Sequence, residues 1–274
     1  MGSIGGPYLA LIVLFVICAL TNDVFAKPAN LLNILRQVSY SGIIALGMTF
    51  VIVGGGIDLS VGSLFALCGV FSILSMNHIT PWIMESGCSF LPDGEVAGFL
   101  IALLVSLLTG FLGAVLNGVI IVFGKLPPFI ATLGTYSIFR SLSLYFAKSG
   151  TLSTDNDLIR RFGSSEFFGI LPTPAFVMLI LTVILGVLMD KTSFGRHVCA
   201  VGSNERVAKF AGIHNGLIKF ITYGLIGLCV GISAFLFVGR LSSVSSSNAG
   251  LLYELDAIAA VIIGGAAMSG GRGS

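Results

Sequence analysis

Apolar residues gather in eight runs, at 8–20, 38–56, 59–76, 96–123, 129–147, 175–189, 220–239 and 258–268. Short polar stretches separate them. A helix crossing the hydrocarbon core needs about 20 such residues, within a range of roughly 17–25. The pattern predicts an all-α chain of about eight membrane helices. The first, sixth and eighth runs are short, and the fourth is long enough that it must tilt, kink or project. Runs two and three cannot form one helix, because residues 38–76 would then reach about 58 Å, twice the bilayer core. The chain must turn at Gly54-Gly55-Gly56-Ile57-Asp58, where three glycines supply the backbone freedom. Asp58 or Ser60 is placed to cap the next helix.

Composition removes the soluble alternative. Hydrophobic residues make up 55% of the 274 and charged residues only 9%, against about 25% charged in an average soluble domain. So few polar groups cannot cover a soluble surface of this size. The net charge of +2 comes with no basic run, which argues against a nucleic-acid partner. Cys18, Cys68, Cys88, Cys199 and Cys229 form no CxxC pair, and only Cys88 falls in a clearly polar stretch, so no disulfide or metal framework is expected. The N-terminal run lacks a positive flank and is followed by further runs, so it reads as a short first span and not a cleaved leader.

Loop charges set the orientation. The segment 190–219 carries Lys191, Arg196, Arg206, Lys209 and Lys219, the richest positive cluster in the chain. Placing it in the cytoplasm also puts the N-terminus inside. Lys125 and Arg272 then fall inside, and Lys27, Arg36, Lys148, Arg160, Arg161 and Arg240 outside, so the assignment rests on one loop. An internal echo links Val51-Ile52-Val53-Gly54-Gly55-Gly56 to Val261-Ile262-Ile263-Gly264-Gly265-Ala266, as expected of transporters built from two related halves.

Candidate chemistry is sparse. A phosphate-binding loop needs GxxxxGK[ST], and Gly265 to Arg272 lacks the lysine, so nucleotide must be bound by another chain. His78, His197 and His214 are scattered, without metal-ligand spacing or an HExxH pair, and no GxSxG elbow occurs. No catalytic, cofactor or metal residue is assigned, and the chain is not read as an enzyme. Charges near membrane depth are functional candidates by default. Asp58 is a helix cap or a substrate contact. Arg140 pairs with a carboxylate or lines a polar cavity. Glu254 and Asp256 suit the start of the eighth helix. Small residues one turn apart, Gly110, Ala114 and Gly118 in run four and Gly227 with Gly231 in run seven, allow close helix packing. In 195–216, Asn204 can cap a helix to Ala211 that Gly212 ends, with Val207, Phe210 and Ala211 on one face. Such a helix docks in a partner's groove or lies on lipid.

Several stretches resemble the permease subunits of bacterial ABC importers for monosaccharides, the ribose, galactose, xylose, allose and autoinducer-2 type. They are 56–62 (Gly-Ile-Asp-Leu-Ser-Val-Gly), 128–135 (Pro-Phe-Ile-Ala-Thr-Leu-Gly-Thr), Ala200 to Asn204 with Ala211-Gly212-Ile213, and Tyr253 to Val261. The match runs in order along almost the whole chain. The resemblance implies one transmembrane permease domain over 1–274, with 190–219 as its cytoplasmic coupling loop. It also implies an ATP-binding cassette subunit below, a periplasmic sugar-binding protein above, a second permease copy beside it and membrane lipid around it. Location in the bacterial inner membrane follows. Gly202, Asn204, Glu205, Ala208, Ala211 and Gly212 become the coupling set, and Gly55, Gly56, Asp58, Ser60 and Arg140 the candidates for the translocation path and helix break. Such permeases have ten helices and continue past Ser269 to Ser274, so this chain is expected to lack the last two. An ion-coupled carrier or channel for a small neutral solute is the alternative.

Overall fold

The computed structural model describes residues 5–85, 93–167 and 169–273. Cys88 and Ser274 lie outside them. In chain order the elements are α1 (Gly5–Thr21), α2 (Pro28–Val53), α3 (Val61–Leu74), a π-helical turn (Ser75–Ile79) that leads into α4 (Thr80–Glu85), α5 (Gly94–Val122) and α6 (Pro128–Phe146). There follow β1 (Thr151–Ser153), α7 (Asp157–Ser164), β2 (Glu166–Phe167), β3 (Leu171–Pro172), α8 (Thr173–Lys191), α9 (Ser193–Ser203), α10 (Glu205–Phe210), α11 (Asn215–Leu241), β4 (Ser243–Ser245) and α12 (Tyr253–Ile263). The strands form two small antiparallel pairs, β1 with β4 and β2 with β3.

Helix starts follow local chemistry. Proline stands in the first turn of α2, α6 and α8, where its missing N–H is no loss. Asp93, Asn156 and Thr192 each accept a backbone N–H of the helix they precede.

The centre of the bundle is α3 and α11. Helix α3 is apolar all round and buried along nearly its whole length, as a helix without a polar face must be. Helix α11 packs on α5 through the small residues noted in each: a methyl at Gly227 would fall on the Gly110 carbonyl and lie 2.6 Å from Ala114 Cβ. Ser106 Oγ donates to Gly231 O at 2.8 Å across the same seam. Close backbone approach through small residues is how helices associate in lipid. The outer faces are apolar too. Leu100, Leu104, Leu108, Leu112 and Leu116 make an exposed stripe on α5, and Leu179, Ile180, Val183, Ile184 and Val187 one on α8. With helices that satisfy their own backbone groups, this is a multi-pass membrane bundle.

Among the described residues, five helices are long and apolar enough to cross a membrane: α2, the continuous stretch Val61–Trp82, α5, α8 and α11. The sixth run is fuller than its apolar core suggested, since α8 takes in Thr173 and Lys191. The other three of the eight expected are helical but less complete. Helix α1 has 17 residues, α6 is a continuous helix of 19 residues that carries Arg140 and several hydroxyl side chains, and α12 has only 11 residues. Helix α12 also begins five residues before the apolar run and stops at Gly264-Gly265. The reason is local: Gly265 has φ +104°, a conformation glycine adopts at no steric cost. Glu254 and Asp256 therefore lie inside the first turn.

The internal echo extends to the backbone. After α2, Gly55 N donates to Ile52 O and Gly56 N to Val51 O; after α12, Gly265 N donates to Ile262 O and Ala266 N to Val261 O. The two helices end in the same hydrogen-bonded closure, 210 residues apart.

Candidate functional site: the helix break and the docking loop

At the break, Gly55 takes φ +81° and turns the chain away from α2. Asp58 does not cap α3 directly. Its carboxylate accepts from Ser60 N at 2.8 Å and Ser60 Oγ at 2.7 Å, and Ser60, at the cap position, makes no side-chain cap bond. An aspartate two residues ahead of its donor closes a local turn instead. The rest of the carboxylate is taken by α5: Asn117 Nδ2 donates to Asp58 Oδ2 at 3.2 Å and to Ser60 Oγ at 2.8 Å. From α11, Tyr223 OH donates to Ile57 O at 3.2 Å. Asp58, Ser60 and Asn117 are fully buried, and Asp58 forms no ion pair among the described residues. The break is thus a polar tie between α3, α5 and α11, held by neutral donors.

The second candidate region is α9 to α10. Asn204 caps α10 by accepting from Arg206 N and Val207 N at 3.0 and 3.1 Å. The far end closes at Gly212, φ +80°, with Gly212 N donating to Lys209 O and Ile213 N to Ala208 O. That paired closure is the glycine-terminated Schellman arrangement. Ala208 is buried against the bundle. Glu205 pairs with Lys219 of α11, and its carbonyl accepts from Asn215 Nδ2 at 2.6 Å. Val207 and Ala211 face outward, and Phe210 is 92% exposed. The helix is fixed on one side and bare and apolar on the other.

The two regions touch. A methyl placed on Gly55 would meet Gly202 Cα at 3.7 Å, and one on Gly270 would meet Gly202 O at 2.8 Å and Gly55 Cα at 3.0 Å. Gly271 N donates to Val53 O at 2.8 Å. Four glycines thus bring the end of α2, the end of α9 and the turn after α12 into backbone contact.

Arg140 lies elsewhere, and among the described residues it forms no direct ion pair, although the Glu254 carboxylate is its electrostatic neighbour. Its Nη1 donates to the carbonyls of Ser246, Ser247 and Ala249 at 3.0, 3.3 and 3.0 Å. These belong to the non-helical stretch between β4 and α12. Tyr253, at the start of α12, lies beside Tyr40, about half-way along α2. Non-helical backbone at that depth needs its carbonyls satisfied from within the protein, and Arg140 does so.

Comparison with known proteins gives the family. The family model described as branched-chain amino acid transport system / permease component matches residues 30–272. The ribose import permease protein of Bacillus subtilis (strain 168) is 41% identical over 270 residues, 98% of this chain and 78% of that protein. The chain belongs to this permease family. The Escherichia coli (strain K12) ribose import permease protein is 35% identical over 269 residues, 97% of this chain and 78% of that protein. The galactose/methyl galactoside import permease protein of the same strain is 34% identical over 277 residues, 98% of this chain and 80% of that protein. No solved structure matches the chain.

The relatives are import permeases, so this permease is a transport subunit and not an enzyme. The sequence reading missed two members of the site. Asn117 was legible as a lone amide in a long apolar run, the kind of intramembrane polar residue that marks a helix contact. Tyr223 carried no such signal, because a tyrosine in an apolar helix reads as packing until its hydroxyl is placed.

Proposed function

We propose that this permease is the translocation subunit of an ATP-driven importer that moves a monosaccharide across the bacterial inner membrane. The ribose and galactose permeases it resembles support the substrate class. The observation that carries the ATP-driven reading is α10: a helix fixed by Asn204, Ala208, Glu205 and Gly212 that leaves Val207, Phe210 and Ala211 bare. An exposed apolar helix face suits the groove of a partner, and the chain has no phosphate-binding loop of its own. That partner is an ATP-binding cassette subunit, which binds the nucleotide. A periplasmic sugar-binding protein delivers the solute at the opposite end, and a second permease copy completes the assembly within the lipid.

In this reading one transmembrane domain contains 190–219 as its coupling loop, and α1, α6 and α12 add to the five long spans. Gly202, Asn204, Glu205, Ala208, Ala211 and Gly212 receive the movement of the ATPase. Gly202 passes it to Gly55 and Gly56, and the tie of Asp58 and Ser60 carries it to α5 and α11. Arg140 holds the broken segment beside the path. ATP binding thereby shifts the bundle between its outward- and inward-open states, by favouring the state to which the closed ATPase binds better.

The test is a cysteine at Phe210, cross-linked in membranes that contain the partner ATPase. The expected product is a permease–ATPase adduct whose yield changes when ATP is added. Labelling of the same cysteine by lipid-soluble reagents, with no adduct to the ATPase, contradicts the docking assignment.

A further inference from the structure

Three long helices have their ends beside α10: α5 stops at Val122, and α6 and α11 start at Pro128 and Asn215. Between them lies a groove of about 380 Å³, lined by Lys125, Pro127, Pro128, Glu205, Asn215 and Lys219 among others. A second hollow of about 440 Å³ shares Asn215 and Gly216 with it and brings in Lys209 and His214. Three lysines thus stand against one carboxylate. Lys219 is paired with Glu205. Lys125 and Lys209 have no ion pair or side-chain hydrogen bond among the described residues.

Lys125 is an unexpected residue for its place. It takes φ +54°, a left-handed conformation that suits glycine or asparagine better than lysine. The turn from α5 to α6 is short, and Pro127-Pro128 fixes where α6 begins. An exposed, unpaired ammonium therefore stands where a smaller residue would fit the backbone better. Such an outlier points to a role for the charge itself.

The surroundings select the ligand. The exposed apolar stripe of α5 runs on through Leu112, Leu116 and Val119 to Phe123, two residues before Lys125. On α11, Leu217 and Ile221 are exposed on either side of Lys219 in sequence. A fitting ligand has an anionic head for the lysines and apolar chains that continue along these stripes. That is the chemistry of an anionic phospholipid, and basic pockets between membrane helices at the cytoplasmic boundary hold such headgroups. A free anion would use the lysines alone and leave the apolar rims uncovered. The Glu205 carboxylate, half exposed in the same groove, accepts hydrogen bonds, which suits a headgroup that carries hydroxyls, such as phosphatidylglycerol.

We infer that this groove binds the headgroup of an anionic phospholipid, with Lys125 and Lys219 on its phosphate, and so ties the docking helix α10 to the membrane surface through Glu205. The inference goes beyond the importer reading and does not depend on it. It is tested by native mass spectrometry of the full chain in mild detergent, titrated with phosphatidylglycerol or phosphatidylcholine. Phosphatidylglycerol should bind about five-fold tighter or more. Lys125→Asn removes the charge and keeps a residue that tolerates φ +54°. Its melting temperature is unchanged or raised, while its affinity for phosphatidylglycerol falls about five-fold. Lys148→Asn is the matched control: Lys148 is exposed, has φ +51° and follows the opposite end of α6, so its substitution leaves lipid affinity unchanged. Equal binding of the two lipids, or wild-type affinity in Lys125→Asn, overturns the site. So does loss of the preference in millimolar inorganic phosphate but not chloride, which would make it a site for free anions. Release of the lipid when the partner ATPase binds would give the groove to that protein and overturn it equally.

Discussion

Replacing Gly202 with alanine tests the junction between docking loop and helix break. The new methyl would fall on the Val53 carbonyl oxygen, 3.0 Å from the Val53 carbonyl carbon and 2.7 Å from Gly271 N. All three are backbone atoms, so no side chain can rotate away, and α9 must shift by roughly 1–2 Å to restore ordinary contacts. Overpacking of this kind costs about 1–3 kcal/mol. The shift also separates Gly271 N from Val53 O, now 2.8 Å apart, worth about 0.5–1.5 kcal/mol more. We therefore expect a loss of about 2–4 kcal/mol localised to the junction. The assay is parallel measurement of sugar uptake, ATP hydrolysis and thermal unfolding in the assembled transporter. Uptake should fall at least ten-fold while the ATPase still turns over. Gly186→Ala is the matched control, because nothing lies within 4 Å of its added methyl, and it should be silent. Normal uptake and unchanged unfolding in Gly202→Ala would refute the reasoning.

Three further outcomes follow from other contacts. Gly212 has φ +80° with open space around it, so Gly212→Val strains only the backbone. It should uncouple uptake from ATP hydrolysis, whereas Gly212→Asn, which tolerates that conformation, keeps most of the activity; equal behaviour of the two in an uptake assay would argue against the closure. Asn117→Leu removes the α5 donor from the buried Asp58 carboxylate and should cost about 2–3 kcal/mol, read as a lower melting temperature in detergent. Arg140→Lys keeps the charge, but a compact ammonium does not reproduce the planar guanidinium that reaches three carbonyls. Residues 246–252 should then exchange amide hydrogen faster, and unchanged protection there would show that Arg140 does not hold the segment.

Much of this organisation was legible in the residues. The break at Gly54–Gly56 follows from run length against bilayer thickness, and the boundaries of α10 follow from Asn204 and Gly212, which carry the chemistry of a cap and a stop. Three features were not. Helix α12 was displaced by five residues because apolar content alone does not mark a helix start, and its first turn contains Glu254 and Asp256. The role of Arg140 was hidden because its partners are backbone carbonyls, which have no letter in the sequence. The meeting of Gly55, Gly202, Gly270 and Gly271 depends on backbone approach between distant segments, Gly55 and Gly270 being 215 residues apart in number, and glycine spacing within one helix says nothing of that. Cys18, Cys68, Cys199 and Cys229 are free thiols, and Cys88 is outside the described residues.

The central claim, that ATP hydrolysis in a partner chain drives this permease through α10, is tested most directly by uptake into sealed vesicles containing the complete assembly. Vesicles with the normal ATPase should accumulate ribose or galactose only when ATP is supplied, and those with a hydrolysis-deficient ATPase should not. Uptake that persists with the deficient ATPase, or that follows an imposed ion gradient instead, would contradict the account.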